Sequence, residues 1–158
     1  MRIGTALRGL HASEDALARE LHGLAERHPA EHEVVHVARD LAAWSKDHVR
    51  GVADAARRYD QELDPTAADD VPDDTGAGAA GDDGATEPDG LAVLHDLRQV
   101  AMHAYGVSTE WEMVAQAAQA VRDHELLALC QRCHPGTLRQ LRWANATIKV
   151  LSTQALTS

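Results

Sequence analysis

The residues with the most chemistry to offer are the two cysteines, in the run Cys130-Gln131-Arg132-Cys133-His134, followed by Pro135-Gly136. Two thiols three residues apart with a histidine directly after them is the spacing of c-type haem attachment, in which the thiols bond the vinyl groups and the imidazole ligates iron. Glu14 and His48 offer a different chemistry. A carboxylate and an imidazole with a thiol nearby are donors for Zn²⁺ or another divalent ion; buried together without an ion, they satisfy each other as a hydrogen-bonded pair. His32, His36 and Asp40 stand at i, i+4 and i+8, a spacing that sets three ligands along one helix face. No Gly-x-Ser-x-Gly elbow, phosphate loop or dinucleotide fingerprint occurs, so nucleophilic hydrolysis and nucleotide chemistry have no motif to rest on.

These residues need helices to position them. At about 100° per residue, Leu126, Cys130, Cys133, Thr137, Leu141, Ala144, Ile148 and Leu151 fall on one stripe of a helix running from about Asp123 to Leu151. Both thiols lie on that stripe, where a free cysteine acts as a small hydrophobe. Pro135 removes a backbone donor and crowds the preceding turn, which predicts a kink or a break there. Residues 5–27 predict a first helix whose apolar face carries Leu10, Leu17, Leu21 and Leu24, with Glu14 close to its centre. His28-Pro29 predicts a tight turn, and a second helix then runs from about Pro29 to Leu63 with Val34, Val37, Leu41, Trp44, His48 and Val52 inward. The third begins at Asp89-Gly90, buries Val93, Leu97, Val100, Ala104 and Trp111, and ends near Val121–Asp123, where Asp123 can cap the last helix. By phase, Glu14, His28, His48, Ser108, Cys130, Cys133 and Gln140 point inward, whereas His36 and Glu110 point out.

The totals agree with such helices. A chain of 158 residues reads as one domain, 1–158. With 44% hydrophobic residues, 3% aromatic and no Phe, its core must be Leu, Val and Ala, which suits closely packed helices. The net charge of −10 is concentrated: residues 64–90 hold a run of Asp and Glu and no Lys or Arg. The remainder is close to neutral and no basic patch dominates, so nucleic acid is not an expected partner. With so little apolar bulk to offset its ordering entropy, the 64–90 stretch predicts a disordered acidic loop. It also lacks the ligand spacing of a calcium loop. No apolar leader region and no apolar run of about 20 residues is visible, which predicts a cytoplasmic, soluble protein without membrane contact.

The fold expected is therefore an all-α, up-down-up-down four-helix bundle, with short links within each pair and the long acidic loop between helices 2 and 3. In this architecture, and in the runs Trp44-Ser45-Lys46-Asp47-His48-Val49-Arg50 and Gln116-Ala117-Ala118-Gln119-Ala120-Val121-Arg122-Asp123-His124-Glu125-Leu126-Leu127, the chain resembles ferritin-like bundles of the actinobacterial type. That resemblance implies a di-iron site made from a Glu on each of two helices and a Glu-x-x-His on each of the other two. Glu33-Val34-Val35-His36 is the one such spacing here, and the last helix has none, so the ligand set is incomplete. The expectation is a largely non-catalytic bundle with a degenerate site for a divalent metal, iron or zinc, at Glu14 and His48. Glu33 and His36 are further candidate ligands. The same bundle could instead serve as an interaction module, a homodimer or the receptor of a protein partner, through Trp143, Val150 and Leu138 on the flanks of the last helix. The alternative rests on Cys130, Cys133 and His134: in this pentad the chain resembles cytochromes c′, four-helix bundles with the motif on their last helix, and the resemblance implies haem c.

Overall fold

The computed structural model describes residues 2–72 and 90–158. They form α1 (Ile3–Arg27), α2 (His32–Ala56), a 3-10 turn (Arg57–Tyr59), α3 (Gly90–Val121) and α4 (His124–Thr157), with no strand among the described residues. α1 forms as its apolar period dictates. Leu7, Leu10, Leu17, Leu21 and Leu24 are completely buried, each worth roughly 1.5–3 kcal/mol in transfer from water. α2 presents a smaller face, with Ala38, Leu41, Ala42, Val49, Val52 and Ala53 buried, so α1 and α2 pack closely along their length.

The ends of the helices follow local chemistry. α2 starts at His32 rather than Pro29, because residues 29 and 30 are used in the turn and Glu31 N–H bonds the carbonyl of His28 at 3.0 Å. It stops at Ala56, well before Leu63, where the chain tightens into the 3-10 turn and reverses at Asp60, in the left-handed region at φ 58°. α3 ends where expected. Arg122 takes φ 59°, and Asp123 caps α4 by accepting the Leu126 N–H at 3.0 Å. The same carboxylate accepts from Tyr59 Oη and Arg58, tying the α3–α4 turn to the end of α2. Pro135 does not break α4, which runs as a single helix through it.

The order of helix directions differs from the up-down-up-down expectation. α1 packs against α2 and α3, and α4 against α3 and α2, leaving α2 and α3 on a diagonal. Ser13 meets Glu110, and His28 meets Asp96, so α3 runs antiparallel to α1. Gln140 meets Leu41, and Arg58 meets Glu125, so α4 runs antiparallel to α2. The order is up-down-down-up, and the end of α2 and the start of α3 lie at opposite ends of the bundle.

The first part of the predicted disordered loop is also corrected. Residues 64–72 lie along α1 and α2 as a strap. His11 Nε2 sits 2.8 Å from the Asp64 carbonyl, Arg19 donates to the Ala67 carbonyl and to Asp70, and the buried Lys46 ammonium donates to the Val71 carbonyl. Ala68 and Val71 bury against Ala18 and Val49. Two apolar side chains at i and i+3, with neighbouring carboxylates paired to Arg19 and Arg50, give this acidic stretch enough to hold it down. Residues 73–89, the rest of the predicted loop, lie outside the described residues, as does the Asp89 cap.

Candidate functional site

A fully buried carboxylate lies within the core. Glu14 sits on the apolar face of α1 between Leu10 and Leu17 and is 0% exposed. Its Oε1 accepts hydrogen bonds from His48 Nδ1 on α2 at 2.9 Å, Trp111 Nε1 on α3 at 2.9 Å and Thr137 Oγ1 on α4 at 3.3 Å. Each of the other three helices thus sends one donor to the same oxygen. Glu14 Oε2 is buried without a partner. Trp111 is fully buried, and its ring stands edge-on to the His48 imidazole, with centroids 6.0 Å apart and planes at 85°.

The carboxylate fixes the role of the imidazole. Nδ1 must donate to Glu14, so in the neutral ring Nε2 carries the lone pair. The edge bearing Cε1 and Nε2 faces Gly136: a Cβ at that position would stand 3.3 Å from Cε1 and 3.4 Å from Nε2. This edge forms a wall of a cavity of about 440 Å³ between α2 and α4, lined also by Trp44, Asp47, Arg132, Cys133 and Arg139. Neither Arg132 nor Arg139 makes an ion pair among the described residues.

The cavity lies on the open seam of the bundle. α2 and α4 touch less than the other neighbouring pairs. Between them the buried Gln140 amide donates to the Leu41 carbonyl at 2.8 Å and to Ser45 Oγ at 2.9 Å, closing the seam at its middle. Beyond that bridge, towards the start of α2, the seam opens again into a groove of about 810 Å³.

The expected site residues divide accordingly. All seven groups read as inward are buried: Glu14, His28, His48, Ser108, Cys130, Cys133 and Gln140. The structure brings Glu14 and His48 together. Glu33 and His36 are exposed on the edge of the second groove, and His32 and Asp40 are exposed as well. Among the described residues, no three His, Cys, Asp or Glu side chains converge so as to hold a metal ion. The orphaned Glu14 Oε2 is one hard donor, but Oε1 and His48 Nδ1 are bonded to each other and no third ligand joins them, so the residues present do not fit the di-iron set.

Cys130 and Cys133 are free thiols. Burial pushes Cys130 up to about 11 and Cys133 up to about 12, so neither is a thiolate at neutral pH. Cys133 lines the His48 cavity, whereas Cys130 lines a separate pocket of about 240 Å³ with His134 and Pro135. His134 Nε2 shares a hydrogen bond of 2.8 Å with Ser108 Oγ. Cys130 and His134 therefore share one pocket, and Cys133 faces another.

Sequence reasoning put Trp111 and Thr137 in the core without assigning them to Glu14. A buried tryptophan requires an acceptor for its N–H, and Glu14 was the one carboxylate at the centre of an apolar face, so the pairing had a signal. Arg132 and Arg139 had none beyond ordinary surface positions. The chain matches no protein-family model, no curated protein and no solved structure at a significant level.

Proposed function

We propose that this bundle is a receptor for a small anionic molecule, a carboxylate or phosphate carrying a planar or apolar group, bound in the cavity between α2 and α4. The observation that carries the reading is His48: its Nδ1 is held by a buried carboxylate while its other edge faces a cavity lined also by Arg132, Arg139 and Asp47, neither guanidinium making an ion pair among the described residues. Arg132 and Arg139 supply the fixed donors that suit planar oxyanions. His48 Nε2 adds a third polar contact, and the Trp44 indole offers an apolar wall. The single long connection between helix pairs supports a ferritin-like ancestry for the scaffold, with a hydrogen-bonded core standing where such proteins carry metal.

The test is an NMR titration of the histidine and arginine side-chain nitrogens with benzoate and with phenyl phosphate. Saturable shifts at His48, Arg132 and Arg139, with affinity tighter than about 1 mM, are the expected result. Arg132→Ala and Arg139→Ala should each weaken binding without altering the thermal midpoint. Shifts that fail to saturate, or that survive both substitutions, would overturn the proposal.

A further inference from the structure

Glu14 decides which hydrogen-bonding role His48 plays in the cavity between α2 and α4. The Trp111 indole N–H donates to the same Oε1 that meets His48 Nδ1, so that oxygen acts as an acceptor and Nδ1 carries its hydrogen. A neutral imidazole has a single N–H. Nε2 is therefore an acceptor, and it has no hydrogen-bond partner among the described residues. A Cβ at Gly136 would stand 3.4 Å from Nε2 and 3.6 Å from Cε3 of the Trp44 indole, so glycine keeps the space between those two rings and α4 open. Arg132 and Arg139 line the same cavity. They lie four residues before Gly136 and three after it, about 6 Å and about 4.5 Å along the helix axis, on either side of the level of Nε2.

A simple carboxylate suits the guanidinium groups but leaves Nε2 facing a second lone pair or an apolar edge. Two acceptors turned on each other repel, and an acceptor covered without a donor costs binding free energy. We propose that the site takes an aromatic acid that also carries a hydroxyl group, its carboxylate on Arg132 and Arg139 and its hydroxyl hydrogen donated to His48 Nε2. The ring then lies over Gly136 beside Trp44, which allows offset stacking. This inference rests on the reading of the cavity as an anion receptor and adds which anion it selects. Glu14 faces His48 from α1, Asp47 lines the cavity from α2, and Arg132, Cys133 and Arg139 line it from α4; α3 contributes the Trp111 ring, which does not titrate. Protonation at Nε2 turns the acceptor into a donor, so the preference for a hydroxyl is confined to pH values at which the imidazole is neutral.

The test uses the wild-type chain and three ligands that differ in one substituent: benzoate, meta-hydroxybenzoate and meta-methoxybenzoate. NMR titrations followed on the side-chain nitrogens of His48, Arg132 and Arg139 are run at about pH 8 and at about pH 5, on either side of the ordinary histidine value of about 6.5. At the higher pH meta-hydroxybenzoate should bind at least about fivefold tighter than the other two. His48 Nε2 should then move from the resonance of a bare nitrogen towards that of a hydrogen-bonded one. At the lower pH the preference should disappear. Equal affinity for all three ligands at the higher pH, or a preference that persists at the lower, would overturn the hydroxyl assignment and leave the receptor reading standing. Failure of all three to saturate the site would overturn both.

Discussion

His48 Nδ1 lies 2.9 Å from Glu14 Oε1, in an interior where the carboxylate has no access to water. The same oxygen takes the Trp111 and Thr137 hydrogens, so one atom organises all four helices while Oε2 has no partner. Charged groups in low dielectric cost several kcal/mol unless well paired, and removing one partner leaves the others stranded. Glu14→Ala should therefore destabilise the protein by about 3–5 kcal/mol, which urea denaturation measures directly. Glu14→Gln keeps an acceptor for His48 and Trp111 and should cost less. A loss below about 1 kcal/mol for the alanine variant would remove Glu14 from the centre of the structure.

Gly136 faces the Cε1–Nε2 edge of His48. Glycine inside a helix costs up to about 1 kcal/mol relative to alanine, so Gly136→Ala gains propensity while its Cβ presses on Cε1 and Nε2 at 3.3 and 3.4 Å. The two effects oppose each other in stability and act together on the cavity. We expect a thermal midpoint close to wild type, with binding of benzoate and phenyl phosphate reduced by tenfold or more. Unchanged affinity would mean that ligands do not reach His48.

The acid limb of stability should report Asp96. Burial alone would raise its carboxyl, but hydrogen bonds from His28 and Arg27 outweigh burial and hold it below the ordinary value of 3.8. Between the folded and unfolded values the unfolded chain binds more protons, so stability rises with pH there. The contribution is complete above 3.8 and is lost as pH falls through the lower folded value. Asp96→Asn should be less stable than wild type at neutral pH, with a shallower decline below pH 3.8. Parallel acid limbs for the two proteins would contradict this.

The strap allows burial and surface charge to be compared at neighbouring residues. Asp70 pairs with Arg19 at 2.7 Å, but both are well exposed, and such pairs are worth about 0–1 kcal/mol. Val71 is buried against Ala18 and Val49. Asp70→Ala should therefore have little effect on hydrogen exchange in the strap, whereas Val71→Asp should remove protection from residues 67–71. The reverse ranking would make the strap an electrostatic device.

Much of the interior was legible because helical phase is a local property. Leu10, Leu17, Leu21 and Leu24 repeat at helical spacing, and Glu14 interrupts the same face, so its burial and its need for a partner could be read from α1 alone. The direction of α3 could not. The α2 helix is about 38 Å long, and the roughly 30 residues between it and α3 can span that distance or return on themselves. Sequence length is compatible with either arrangement; packing chooses. The strap was missed because composition averages over a window, and Ala68 and Val71 are diluted by surrounding carboxylates. The cavity was missed because it depends on how far α4 stands from α2, a distance to which Gly136 and Gln140 contribute and which no periodicity records.

The cysteine pair gives the alkaline limb. An unfolded thiol ionises near 9.0, whereas burial pushes Cys130 up to about 11 and Cys133 up to about 12. Between these values the folded chain holds protons that the unfolded chain has lost, so stability falls as pH rises above about 9. The same burial protects both sulfurs from reagents, because the thiolate is the reactive form. At pH 8 the native protein should react with a disulfide reagent far more slowly than the urea-unfolded chain. The Cys130→Ala, Cys133→Ala double variant should keep more of its stability between pH 9 and 11. Fast reaction of both thiols in the native state would mean that α4 opens around Pro135 far more readily than its continuous helix implies, and would return the pentad to chemistry rather than packing.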